Sequence, residues 1–344
     1  MSSVAKPPKI DPKVKSFFQK ALFEWYKRER RPLPWRLAPT PYAVTVSEFM
    51  CQQTQIATVL PYYERWMNRW PSWEALAKAK EGEVLKLWEG LGYYRRARML
   101  HGLAKHVLNE WNGVLPTDIK ELRSLPGIGP YTAGAIASIA LGQRTALVDG
   151  NVERVLARFF ALSWDTGSPA AHKHFWHLAE ELLPEKAEMC GDFNQAMMEC
   201  GARVCTPRQP TCVICPLQNM CLGKTDPHTF SLKKKMDVVR EEETLAWIWK
   251  DGKIWLTQPA QARRWKEAFR LPFAVGKAKG KKLFKHVYTV TKYRIEATVV
   301  DGGKKPPVDE KGAWFSQEEV QRIFLPAPHR KMIEALWPVK PRYS

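Results

Sequence analysis

The sequence predicts two domains, a mostly α-helical one followed by a small α/β one. The chain has 344 residues, more than one domain usually contains. In residues 14–224 apolar side chains recur every three or four positions, as on amphipathic helices. Residues 225–240 are polar and suit a linker, and residues 241–344 contain β-rich segments.

Two start signals place helices in the first domain. Thr40 precedes Pro41, so a threonine cap and a first-turn proline begin an apolar pattern that we follow through to Ile56. A second pattern starts after Thr117, stops at residues 125–129, and resumes from Pro130 to Leu141. The sequence therefore predicts a helix, a tight hairpin and another helix there.

The second domain carries strand and hairpin signals. Residues 244–249 and 254–257 flank Asp251-Gly252, a dipeptide typical of a tight β-hairpin. Residues 284–290 and 293–300 are rich in β-branched and aromatic side chains. Two helices should follow, one opened by a capping box of Ser316 and Glu319.

The charge balance indicates a polyanionic partner. The formal net charge is +19, and basic side chains gain affinity for phosphates by displacing counterions. We expect nucleic acid. The chain shows no apolar run of membrane-spanning length and no secretory signal, so we expect an intracellular protein, in the cytoplasm or nucleoid if it is bacterial.

Four cysteines are clustered in residues 205–221. Their spacing, C-x6-C-x2-C-x5-C, lets four thiolates converge on one centre from Cys205, Cys212, Cys215 and Cys221. Spacing leaves open whether that centre is zinc or a [4Fe-4S] cluster. The remaining cysteines are more typical of buried apolar positions; they are Cys51, Cys190 and Cys200.

The predicted hairpin suits a phosphate. Gly127, Ile128 and Gly129 precede a helix, and glycine lets backbone amides approach a phosphate closely while the helix N-terminus offers positive charge. This combination favours a nonspecific DNA clamp. The alternative is an ordinary corner between two helices.

Two acids near this hairpin could carry chemistry. Glu48 lies among apolar residues, which should raise its pKa and keep it protonated. Asp149 follows the apolar, strand-like residues 146–148 in a turn rich in amide donors, and should stay ionised. Cleavage of an N-glycosidic bond needs an acid for the leaving base and a carboxylate for the cationic sugar. Taken singly, Asp149 is more commonly a helix cap or turn former, and Glu48 more commonly a solvated or capped acid.

These motifs together resemble the MutY family of adenine DNA glycosylases, in the wider helix-hairpin-helix group that includes endonuclease III. The resemblance runs from about Phe18 to Cys221 and includes residues 33–36, 46–55, 90–98 and 148–152. It implies a helix-hairpin-helix glycosylase domain whose cysteine loop holds a [4Fe-4S] cluster. The implied partner is double-stranded DNA with adenine opposite 8-oxoguanine or guanine, bound by a monomer.

The resemblance also implies residue roles. Glu48 would protonate adenine, and Asp149 would stabilise the oxocarbenium ion, directly or through a transient covalent adduct. The implied roles of the others are orientation of that chemistry for Tyr131 and Asn151, the adenine pocket for Trp35, Arg36 and Gln195, and wedging into the base stack for Gln53 and Tyr93. Relatives that also nick the strand place a lysine where this chain has Tyr131, so we predict a monofunctional enzyme.

The second domain resembles the Nudix-like module with which this family senses 8-oxoguanine. Trp265 and residues 269–272 match its motif, although Lys266 and Glu267 replace expected glycines. Many members carry Phe-Ser-His where this chain has Tyr288-Thr289-Val290. We expect Tyr288 and Thr289 to contact DNA, with the Thr289 hydroxyl available to the oxidised guanine. Simple strand packing of these residues is the alternative.

Two other functions remain open from the sequence. One is a bifunctional pyrimidine glycosylase and abasic-site lyase of the endonuclease III type, which Tyr131 disfavours. The other is a non-enzymatic DNA-binding protein in which the two carboxylates are incidental.

Overall fold

The structure is a computed structural model that describes residues 6–164, 168–230, 237–258, 264–265, 268–274, 280–307 and 311–337. The chain divides into two compact units. The first comprises Met1–Ala77 and Gly102–Lys235, and the second Lys78–His101 and Met236–Ser344. Residues 231–236 of the expected linker, and Lys266 and Glu267, lie outside the described residues, and the expected domain bounds stay a prediction.

The first unit is helical, as predicted. Its helices are α1 (Pro12–Glu29), α2 (Pro34–Leu37), α3 (Pro41–Cys51), α4 (Ile56–Arg69) and α5 (Trp73–Ala77). After α6 (Glu81–Leu87) of the second unit and α7 (Arg95–Glu110), which both units share, come α8 (Ile119–Ser124), α9 (Pro130–Ala135), α10 (Gly150–Phe159), α11 (Pro169–Leu182) and α12 (Cys190–Arg203). A π-helical turn, Ile136–Ala140, continues α9.

Helix α3 begins where the sequence predicts and ends earlier than expected. The Thr40 side chain accepts a hydrogen bond from the Ala43 amide, with Pro41 in the first turn. The apolar pattern to Ile56 is not one helix, because Gln53 adopts a left-handed conformation at φ 56° and the chain turns before α4. This turn brings the polar residues that follow α3 beside Glu48.

The predicted hairpin between α8 and α9 is present. The Ile128 amide donates to the Leu125 carbonyl at 3.1 Å, which closes a turn with Pro126 and Gly127 in its central positions. Gly127 has φ 82°, which this type of turn requires of its third residue. The backbone therefore reverses tightly and sets the direction of α9.

The core of the first unit lies among α1, α10, α11 and α12. Phe18 meets Phe159 edge-on with ring centroids 4.8 Å apart, and both rings are buried. Helix α12 approaches the start of α10 closely, since a Cβ on Gly201 would lie 2.6 Å from the Asn151 Cβ. The missing side chain at Gly201 therefore lets α12 pack directly against the turn that carries Asn151.

In its described residues, the second unit has two three-stranded sheets and two C-terminal helices. Strands β1 (Val239–Trp247), β5 (Tyr293–Asp301) and β4 (Lys282–Val290) form one sheet, with β1 parallel and β4 antiparallel to β5. Strands β2 (Trp249–Lys250), β3 (Lys253–Thr257) and β6 (Gly312–Phe315) form the other, which is antiparallel. Helices α13 (Gln317–Arg322) and α14 (Ala327–Leu336) follow.

Most local predictions for the second unit are confirmed. Asp251 and Gly252 have positive φ in the β2–β3 hairpin, and Ser316 forms the expected capping box with Glu319. The expected strand over residues 244–249 is wrong in one respect: β1 ends at Trp247 and β2 begins at Trp249 in the other sheet. Strands β4 and β5 contain the predicted segments.

The segment 78–101 packs within the second unit. The carboxylate of Glu89 pairs with the guanidinium of Arg330 on α14, and both side chains are largely buried. Tyr94 meets Phe324 edge-on at 4.4 Å. Among the described residues, no helix is long and apolar enough to cross a membrane.

Candidate active site

A cavity of about 930 Å³ opens in the first unit. Its wall is built from the end of α3 and the turn after it, from α2, and from the residues that begin α9 and α10 and end α12. Among its lining residues are Trp35, Arg36, Glu48, Gln53, Tyr131, Asp149, Asn151 and Glu199. The two acids that the sequence singled out therefore line one space.

Glu48 lies on α3 and is buried. Burial raises the pKa of its carboxyl from 4.5 to about 7, while a hydrogen bond with Tyr131 lowers it. Asp149 raises the same pKa by charge repulsion, and Arg36 lowers it. Near neutral pH this side chain is close to half protonated, as a proton donor requires.

Asp149 caps helix α10. One carboxylate oxygen accepts from the amides of Asn151 at 2.9 Å and Val152 at 2.8 Å, and the other from the Asn151 side-chain amide at 2.7 Å. Burial raises the pKa of Asp149 above its ordinary value, against the lowering by these donors. From the sequence we expected these hydrogen-bond donors alone to set the pKa of Asp149. The sequence did not reveal the burial of this turn.

Tyr131 occupies the first turn of α9, after Pro130. Its hydroxyl lies 3.3 Å from the Met198 sulfur, and it also hydrogen-bonds with Glu48. Burial and the two neighbouring carboxyls raise its pKa well above the usual value, so the phenol stays neutral. Tyr131 therefore meets Glu48 as a neutral hydrogen-bonding group.

Asn151 connects the site to the cysteine loop. Its side-chain oxygen accepts from Arg154 at 2.7 Å, and Arg154 also donates to the Cys205 carbonyl at 2.7 Å. One turn later on α10, Arg158 donates to the Thr206 carbonyl at 2.7 Å. Two buried arginines thus hold this loop against the helix that Asp149 begins.

The predicted pocket residues differ in position. Trp35 and Arg36 lie in the cavity wall, and Trp35 also meets Tyr63 edge-on. Gln195 is buried on α12, one turn before Glu199, and is not among the residues that line the cavity. Its role in the pocket stays a prediction.

Glu199 and Arg31 also line the cavity, although neither was predicted from the sequence. The Glu199 carboxylate, which is 1% exposed, accepts from Arg31 at 2.6 and 2.8 Å and from Arg36 at 2.8 Å. Burial raises its pKa, but the two arginines outweigh burial and the net pKa is lowered. Glu199 lies in a Met-rich helix, four residues before Arg203. Nothing in the sequence indicates that its partner would lie on α2.

Both predicted wedge residues have unusual backbone conformations. Gln53, in the first unit, has φ 56° and an exposed side chain. Tyr93, in the second, has φ 49° and a side chain that is 47% exposed. Left-handed conformations of non-glycine residues are costly and concentrate at functional sites.

The cysteine loop lies against the first unit's core. Cys205, Cys215 and Cys221 pack on that core, and the Arg158 guanidinium donates to the Cys205 sulfur at 3.4 Å. Burial raises the pKa of Cys221 to about 11, and the loop thiols of Cys215, Cys205 and Cys212 raise it as well. Within the described ranges, no three His, Cys, Asp or Glu side chains are grouped as metal ligands.

The two predicted lesion contacts on β4 differ in exposure. Tyr288 is buried in the core of the second unit, where its hydroxyl donates to Glu243. Thr289 is exposed and pairs with Arg294 on β5. Of the two, Thr289 is the residue with a surface side chain.

Comparisons with known proteins identify the relatives of this chain. Residues 46–181 match the family model of the HhH-GPD superfamily base excision DNA repair protein. An adenine DNA glycosylase of Buchnera aphidicola subsp. Acyrthosiphon pisum is 30% identical over 347 residues, which cover 93% of this chain and 98% of that protein. The chain belongs to the adenine DNA glycosylase family.

Other members of this family match over less of their length. The adenine DNA glycosylase of Rattus norvegicus is 50% identical over 213 residues, covering 59% of this chain and 41% of that protein. The chain thus spans about two fifths of the length of that relative.

Solved structures give the fold of the helical unit. A thermostable thymine-DNA glycosylase has a TM-score of 0.57 and 31% identity, covering 62% of this chain and 97% of that one. Endonuclease III in a trapped covalent intermediate with DNA has a TM-score of 0.54 and 21% identity, covering 63% and 98%. The helix-hairpin-helix fold expected for this family is confirmed.

Burial of Glu48 makes stability depend on pH. Because its folded pKa is about 7 and its ordinary value 4.5, the folded protein loses stability as pH rises between these values and levels off above 7. The largest loss is about 3 kcal/mol. Glu48→Gln should therefore be the more stable protein at pH 8 and match the wild type near pH 4.

Urea unfolding at pH 4, 6 and 8 measures this difference. Glu24→Gln, on an exposed position of α1, serves as the matched control and should follow the wild type throughout. A Glu48→Gln variant whose stability advantage is the same at all three pH values would contradict the buried, partly protonated state of Glu48.

Proposed function

We propose that the chain is a monofunctional DNA glycosylase that removes adenine mispaired with 8-oxoguanine or guanine. The name of its relatives, adenine DNA glycosylase, supports adenine as the base that is removed. The observation that carries this is a pair of acids that line one cavity: buried Glu48, with a pKa near 7, and partly buried Asp149, held by three donors. It would act as a monomer on duplex DNA inside the cell.

Glu48 and Asp149 divide the chemistry. Protonated Glu48 donates its proton to a ring nitrogen of adenine, the bond from C1′ to the base breaks, and its electron pair leaves with the base. Asp149 faces the resulting cationic sugar, whose positive charge favours the ionised carboxylate. Water then adds to C1′ and passes a proton to the Glu48 carboxylate, which restores the acid for the next turnover.

The other predicted site residues would bind and position the base for this chemistry. Trp35, Arg36 and Gln195 form the adenine pocket in this proposal, while Tyr131 and Asn151 orient the two acids. Gln53 and Tyr93 wedge into the stack, since a side chain that fills the gap lowers the cost of holding a base outside the helix. The hairpin of Gly127, Ile128 and Gly129 holds a phosphate through backbone amides.

Replacement of Glu48 separates catalysis from binding. In single-turnover assays on a duplex with adenine opposite 8-oxoguanine, Glu48→Gln should release adenine at least about 100-fold more slowly, because an amide cannot donate the proton. DNA affinity should stay near the wild-type value. Undiminished release with normal binding would exclude this mechanism, and a wild type that binds without releasing adenine would identify a DNA-binding protein.

Tyr131 restricts the enzyme to base removal. A phenol cannot form a Schiff base with the sugar, as the lysine of strand-nicking relatives would. Incubation with mispaired duplex and borohydride should therefore give free adenine and an abasic site, with no covalent protein–DNA adduct. Tyr131→Lys, the matched variant, should gain some adduct. Adduct formation by the wild type would favour the bifunctional alternative.

The cysteine loop fits a [4Fe-4S] cluster in the chemistry of its donors. Four partly buried thiols stand in residues 205–221, and Arg158 already donates to the sulfur of Cys205, as expected next to a thiolate ligand. We propose Cys205, Cys212, Cys215 and Cys221 as the ligands. When bound, the cluster would cross-link the loop that Arg154 and Arg158 hold against α10.

Metal content distinguishes iron from zinc. Protein purified without air should contain about four iron atoms per chain and almost no zinc. Cys212→Ala should lose most of this iron, whereas Cys190→Ala, at a buried position outside the loop, should keep it. About one zinc per chain, with no iron, would contradict the assignment.

Residues 241–344, which belong to the second unit, are proposed as the Nudix-like module that senses 8-oxoguanine. Its support is the exposed Thr289 on β4, in the segment that resembles the family's lesion contact. Tyr288 belongs to the proposed contact through its backbone, since its side chain is buried. The domain bounds 14–224, 225–240 and 241–344 are part of this proposal.

Thr289→Val removes only the hydroxyl. The ratio of adenine release opposite 8-oxoguanine to release opposite guanine should fall about 3- to 10-fold, as expected for one lost hydrogen bond. Thr298→Val, also a threonine to valine change in the same sheet, should keep the wild-type ratio. An unchanged ratio in Thr289→Val would remove this residue from lesion sensing.

A further inference from the structure

Glu199 brings two arginines together at the cavity wall. Arg31 binds it through Nε and Nη2, a two-pronged arrangement, and Arg36 binds the second oxygen at 2.8 Å. A third arginine, Arg203 on the same helix, has Nη1 3.9 Å from Glu199. A buried carboxylate with so many donors is held in one position.

The two arginines that bind Glu199 belong to short, irregular segments of the chain. Arg36 is on α2, a four-residue helix, and Arg31 precedes that helix in a loop. Besides Glu199, Arg36 contacts the Tyr26 ring at 5.6 Å and the Arg31 carbonyl at 3.4 Å. Two guanidinium groups side by side would repel each other without an anion between them.

Glu199 also affects the electrostatic environment of Glu48. The charged groups that face Glu48 are Asp149 from the start of α10 and Arg36 from α2, while Tyr131 from α9 hydrogen-bonds with it. Of these, Arg36 is the group that Glu199 holds directly. The route from Glu199 to the proton donor therefore runs through one shared guanidinium.

We infer that Glu199 is a positioning residue for adenine excision, which fixes Arg36 at the cavity wall and partly neutralises the charge that Arg36 presents to Glu48. This inference rests on the proposed function of Glu48 as proton donor. Glu199 itself takes part in no step of the reaction.

The pH dependence of the reaction provides the test. Arg36 lowers the pKa of Glu48, so Glu199→Gln, which keeps an acceptor for Arg36 and removes the negative charge, should lower it further. The decline of the single-turnover rate at high pH should then begin at least about half a pH unit lower than in the wild type. Arg36→Gln should move the decline in the opposite direction.

Controls separate this effect from damage to the fold. Glu199→Asp keeps the charge and should keep the wild-type pH of the decline, even where its rate is reduced. Glu24→Gln, exposed on α1, should match the wild type in rate and pH profile. An NMR titration of Glu48 in the protein without DNA gives the same shifts independently of activity.

The possible results distinguish a failure of the inference about Glu199 from a failure of the proposed function. A folded Glu199→Gln variant with a wild-type pH profile and Glu48 titration overturns the inference. If Glu199→Gln does not fold, an Arg36→Gln variant whose profile does not move also overturns it, because Glu199 then has no route to Glu48. A wild type that releases no adenine at any pH refutes the proposed function instead.

Discussion

The hydrogen bonds between Asp149 and the first amides of α10 are the interaction on which the site depends. They start α10, and α10 presents Arg154 and Arg158 to the cysteine loop. The same carboxylate stands in the cavity wall, so one side chain is both a helix cap and a candidate for chemistry. A substitution that removed the charge would therefore also unsettle the start of the helix.

The sequence predicts the local structure here well because its signals are local. A threonine before a proline sets the start of α3, and Gly127 sets the hairpin, since cap and turn geometry depend on neighbours in the chain. The break between α3 and α4 was not predicted. It results from the left-handed conformation of Gln53, and no glycine marks this position in the sequence.

The contents of the site are predictable only in part. Glu48 and Asp149 stand in recognisable surroundings, and the structure places both on one cavity. Glu199 binds arginines that precede it by more than 160 residues, so its partners emerge only when α2 and α12 pack together. The opposed effects on the pKa of Asp149 depend on burial depth, which composition and spacing do not give.

The three acids of the cavity show how one fold gives the same functional group different states. Glu199 lies against two cations and stays charged, whereas Glu48 lies beside a neutral phenol and another acid, and holds its proton up to about pH 7. Neutral Glu48 lessens the repulsion on Asp149, so the proton on one acid supports the charge on the other. Once that proton leaves with adenine, two negative carboxylates face the cationic sugar. Their attraction then stabilises the positive charge as it develops.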